Sequence, residues 1–112
     1  MFNDPPPKAR WRRSQRFTLS DRGGVAEASY MSGIVAARAE GGRASFDAAR
    51  TTWAQEFGVQ PDDGLYLAEV RRGPVDMQSI VEALETCGKT RQDAVAAMAR
   101  LFDGGFIAAI ES

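Results

Sequence analysis

Apolar residues run along this chain in two rhythms: a period of two in short stretches and a period near 3.6 in longer ones. Residues 16–20 (RFTLS) alternate as a short strand does, and Asp21-Arg22-Gly23-Gly24 then breaks the pattern. Over 25–40, Val25, Ala28, Met31, Ile34, Val35 and Ala37 fall at helical spacing, and Gly41-Gly42 ends that helix. Ser45 is suited to cap a second helix over 45–57, whose Phe46, Ala49, Trp53 and Phe57 form a stripe of the kind that packs into a core. Gly58 stands where a left-handed residue closes such a helix. Pro61-Asp62-Asp63-Gly64 reads as a turn, since proline presets φ and glycine accepts a positive φ. Its adjacent carboxylates, lacking other ligands nearby, read as a solvated turn rather than a metal site. Residues 65–70 (LYLAEV) then read as a strand, closed by Arg71-Arg72-Gly73-Pro74.

The last third is the most organised. Asp76 can cap a helix over 77–87 carrying Met77, Ile80, Val81 and Leu84, and Gly88 supplies a sharp turn after Cys87. Thr90 caps the next helix, over 91–103, with Asp93 three residues on in capping-box position. Val95, Met98, Leu101 and Phe102 form its buried stripe, Gly104-Gly105 stops it, and 106–111 returns as a strand. Helix, tight turn, helix, glycine and strand is the order of a helix-turn-helix leading into a wing.

On those residues the stretch SIVEALETCGKTRQDAVAAMARLFDGGFIAAI resembles the winged helix-turn-helix superfamily of bacterial regulators. The resemblance covers 75–112, with the strand at 65–70 as the preceding sheet element. It gives Thr90 the capping role, Val95 an inward-packing one, and Leu101, Gly105, Phe106 and Ile107 the lead into the wing. A two-stranded wing cannot be completed after 106–111, so the strand at 16–20 is the candidate to complete the sheet. The expected fold is mostly α with a small β-sheet (α+β). It comprises a basic extended arm over 1–22 and one winged-helix-like domain over 23–112, which includes an N-terminal helical pair.

Composition narrows the chemistry. The 112 residues include no His and one Cys, which removes imidazole-based nucleophile pairs, imidazole metal ligands and an internal disulfide. No convergent constellation of Asp, Glu or Tyr stands in for them, so the expectation is a binding protein with no catalytic residue, no metal and no cofactor. No apolar run approaches the roughly 18 residues a membrane span needs, and the N-terminus lacks a secretory pattern, so a cytoplasmic protein is expected. Cys87, in the turn between the last two helices, reads as a buried or inert thiol.

Charge is placed unevenly. Residues 1–22 hold six cations against two acids, a local +4, whereas the whole chain is −1. Pro5, Pro6 and Pro7 favour an extended backbone. Behind them Lys8, Arg10, Arg12, Arg13 and Arg16 surround Trp11, an arrangement suited to lying along phosphates with the indole stacking on a base. A solvated tail is the plainer account. With Lys89, Thr90, Arg91, Gln92 and Arg100, the arm makes up a candidate nucleic-acid surface for a DNA-binding regulator. The outward face of the 91–103 helix (Gln92, Asp93, Ala96, Ala97, Arg100 and Asp103) holds few cations, and its small side chains suit close packing. The alternative is therefore a protein-interaction module that uses Gln92, Asp93, Ala96, Ala97 and Arg100. Partners are thus DNA or a protein, a homodimer included. The small residues Ala26, Ser29, Ser32, Gly33 and Ala36 make the 25–40 helix a candidate partner surface. A glycine tolerated in an ordinary packed helix explains Gly33 as well, at a cost of about 1 kcal/mol relative to alanine.

Overall fold

The computed structural model describes residues 15–110, which form an α+β fold. The element order is β1 (Arg16–Leu19), α1 (Asp21–Glu40), α2 (Arg43–Phe57), α3 (Asp63–Arg71), β2 (Val75–Asp76), α4 (Met77–Glu85), α5 (Arg91–Asp103) and β3 (Ile107–Ile110). The three strands make one antiparallel sheet in the order β2-β1-β3. Arg16 is in register with Asp76 on one side and Ile110 on the other. The first of the described strands is therefore the central one, and the Gln15 side-chain amide donates to the Ile110 carbonyl at 2.9 Å.

Residues 65–70 are not a strand. They lie inside α3, where Asp63, Gly64, Tyr66, Leu67 and Val70 are buried. Burial at 63, 66, 67 and 70 is the spacing of a helix face. It was hidden because Asp63 counts as polar and the Pro-Asp-Asp-Gly run reads as a turn. Gly64 is needed there for closeness, since a Cβ would lie 2.3 Å from the Tyr30 ring.

The Asp21-Arg22-Gly23-Gly24 run is the first turn of α1 rather than a breaker. Ser20 caps that helix, its hydroxyl accepting from the Gly23 N–H at 3.0 Å. A Cβ at Gly23 would lie 1.8 Å from the Phe106 carbonyl oxygen, so only glycine lets α1 start against the β3 approach. The strand expected over 16–20 is β1, which joins the sheet as expected, and residues 21 and 22 open α1 rather than ending an arm. The second helix begins at Arg43, with Gly42 rather than Ser45 before it; the Ser45 hydroxyl donates to Glu40. The 77–87 helix ends at Glu85.

The core gathers Phe17 from β1, Leu67 and Val70 from α3, Ile80 and Leu84 from α4, Met98 and Leu101 from α5, and Phe106 and Ile107. The aromatic stripe of α2 packs inward. Trp53 is buried edge-on to Tyr30, with centroids 4.9 Å apart, and its indole N–H donates to the Ala26 carbonyl at 2.9 Å. In α1 the buried face is Gly23, Ala26, Glu27, Tyr30, Ile34 and Ala37. Of the apolar residues that mark this helix in the sequence, Val25, Ala28, Met31 and Val35 are exposed.

Candidate functional site

Two groups of polar side chains flank the α4–α5 pair, and they divide the residues singled out by sequence. The first group lies where β1 begins. Arg16 is exposed and in register with Asp76, whose carboxylate caps α4 by accepting the Ser79 N–H at 2.8 Å. That bond, with Arg16 contributing, holds the Asp76 carboxyl below its ordinary range. Two residues on, Gln78 accepts from the Arg91 guanidinium, so the first turn of α5 is tied to the first turn of α4. Gln92 is exposed beside Arg91. Arg16, Gln78, Arg91 and Gln92 therefore belong to one end of the molecule, together with the N-termini of both helices, where the carboxylates of Asp76 and Asp93 already take part in the caps.

Thr90 is structural at this end. Its hydroxyl accepts the Asp93 N–H and the Asp93 carboxylate accepts the Thr90 N–H, both at 3.0 Å, completing a capping box. Those bonds hold the Asp93 carboxyl below its ordinary range.

The second group is a polar cleft of about 500 Å³ between α2, the start of α3 and α5. Asp62 accepts from both Arg50 and Lys89. Asp63, with no exposed surface, takes Arg100 in a two-point grip, Nη2 to Oδ1 at 2.7 Å and Nε to Oδ2 at 3.3 Å. It also accepts the Gln60 N–H at 3.0 Å. The carboxylate raises the pKa of the Arg100 guanidinium above its ordinary value. These aspartates are not a solvated turn: they latch α2, α3 and α5 together. Sequence gave no signal for this, because the partners lie 12, 27 and 37 residues away. The hydroxyl of Tyr66 is buried beside the latch with no partner among the described residues, and burial raises its pKa.

Lys89 and Arg100, expected on the nucleic-acid surface, are thus held by Asp62 and Asp63. Ala97, expected to face outward, is 1 % exposed and packs in the core beside Ala94 and Met98. Helix α5 has a wider buried face than its large apolar residues mark, because small alanines fill the rest of it. Ala96, Gln92, Asp93 and Asp103 are exposed. Cys87 is exposed rather than buried. Lys8, Arg10, Trp11, Arg12 and Arg13 lie outside the described residues. Among the described residues, no group of three or more Cys, Asp or Glu is arranged to hold a metal, and no helix is long and apolar enough to cross a membrane.

Comparison of the chain with family models, with curated proteins and with solved structures finds no match.

Proposed function

We propose that this protein is a DNA-binding regulator that grips duplex phosphates with its basic N-terminal segment and presents the first turn of α5 to a groove. One observation carries the reading: β1 is the central strand, with its first residue beside the capped start of α4. The cationic run of the sequence ends at Arg16, on the side where Arg91 and Gln92 are also found. Arg16 and Arg91 then share one side, as contact with phosphates requires of cations. In a winged helix, two strands following the second helix carry the wing. Here β1 stands where the second of those strands would be, and the basic segment leads into it. Arg91 and Gln92 are the residue types that read base edges. Lys89 and Arg100 have no part in this reading, since both are neutralised in the aspartate latch.

The test is binding to a random-sequence duplex across a range of salt concentrations. Five cations on phosphates give a slope of log affinity against log salt of about −4 to −5. Replacing Arg10, Arg12 and Arg13 with Ala weakens binding to all sequences and flattens the slope by about 2 to 3. Absence of binding at low salt rejects the proposal. A protein partner is the second reading, and α1 rather than α5 favours it, through the exposed Val25, Met31 and Val35.

A further inference from the structure

Arg91 differs from the other cations near the start of α5 in what holds it. Lys89 sits on Asp62 and Arg100 on Asp63, so each sets its positive charge against a carboxylate. Arg91 is held instead by a neutral group, its Nη2 donating to Oε1 of Gln78. An amide oxygen fixes a guanidinium without cancelling its charge.

The amide is itself fixed. Gln78 Nε2 donates to Glu82 Oε2 at 2.9 Å, one helical turn along α4. That bond decides which way the amide points. In the reverse orientation its oxygen would face a carboxylate and its NH₂ a guanidinium, and neither bond could form. The α4 backbone beneath is anchored by Asp76, which caps the helix and is in register with Arg16 of the central strand. Glu82, Gln78 and Arg91 therefore form a relay between two helices, and all three are exposed.

The relay leaves Arg91 equipped for recognition. Its Nη2 carries two hydrogens, and the Gln78 oxygen takes one of them. Whichever is taken, one of the two forks of the guanidinium (Nε with Nη2, or Nη1 with Nη2) keeps both of its hydrogens. Two parallel N–H groups match the O6 and N7 acceptors of guanine in the major groove. Adenine presents one acceptor and one donor at the same place.

We infer that Gln78 is a positioning residue for base readout, holding the Arg91 guanidinium so that its free fork selects guanine. The inference rests on the DNA-binding reading proposed above, and adds to it the base that is selected and the residue that sets the selection. A long side chain loses rotamer freedom when it docks. One that is already held loses less, a difference of about two- to tenfold in affinity. The gain arises only where the fork meets its base, so it enters specificity and not the general attraction to phosphates.

The experiment selects a preferred site for the full chain from a pool of random-sequence duplexes. Affinity for that site and for the unselected pool is then measured across the same salt series. The selected site is expected to contain a fixed guanine, and Arg91→Ala to bind it about fivefold or more weakly and to lose the preference for that base. Gln78→Ala removes no charge. It is expected to lower affinity for the selected site about two- to tenfold, to leave pool affinity and salt slope unchanged, and to have no further effect once Arg91 is replaced by Ala. Equal losses on site and pool overturn the inference and leave the DNA reading standing. So do a selected site without a fixed guanine, wild-type affinities in Gln78→Ala, or a Gln78→Ala loss that persists in the Arg91→Ala background. A wild-type chain that binds no duplex at low salt overturns both.

Discussion

Helices α1 and α5 pattern their burial in opposite ways. In α5 the large apolar residues Val95, Met98 and Leu101 are buried, and the alanines Ala94 and Ala97 go in with them. In α1 the buried face includes Glu27 and Tyr30, while two valines and a methionine are left in solvent. Helix α5 follows the rule that the apolar stripe marks the core, and α1 breaks it. The break is instructive because the α1 interior is satisfied without those valines. Tyr30 closes over Gly64 and against Trp53, and the Trp53 indole bonds the α1 backbone. An apolar residue that the core does not need is free to serve another surface.

Substitution separates the two helices most sharply at Ala97. Ala97→Glu forces a carboxylate into a site that is 1 % exposed, and the expected loss is on the order of 3–5 kcal/mol, read as a collapsed urea midpoint. A stability close to wild type would show that α5 is not seated as described. An intermediate effect is expected at the helix starts. Asp76→Ala removes the α4 cap and costs about 1 kcal/mol at neutral pH. The Asp76 carboxyl is held below its ordinary range, so its contribution is present above that range and is lost as pH falls through the depressed value. The gap in melting temperature between wild type and variant therefore narrows on acidification. A constant gap would mean that the charge does not matter. The smallest effect is expected on α1, where Val35→Ser changes the unfolding free energy read from urea titration by less than about 0.5 kcal/mol. A loss of 2 kcal/mol or more there would put Val35 in the core and erase the contrast.

How much of this was legible in the sequence follows the same division. The caps at Asp76 and Thr90, the inward stripe of α5 and the strand before Ser20 depend on residues a few places apart. Local chemistry was enough to find them. Helix α3 was not legible, because its burial spacing includes Asp63, and an aspartate counts as inward only when its arginine is known. Arg100 supplies that partner from another helix. The same distance hid the capture of Lys89 by Asp62. The candidate site was half legible for this reason: Arg16, Arg91 and Gln92 could be picked by type. That Lys89 and Arg100 are engaged elsewhere could be seen only once α3 was a helix.

The place of β1 also bears on how the molecule is made. Of the three described strands the central one is made first, yet one neighbour follows after three helices and the other after α5. The contact between Gln15 and Ile110 spans 95 positions. During synthesis the strand must wait with both edges open while the helices form around it, and the sheet closes only once Ile107–Ile110 has emerged. A chain stalled short of that strand exposes an unpaired apolar segment containing Phe17, the kind of edge that quality control and aggregation both recognise.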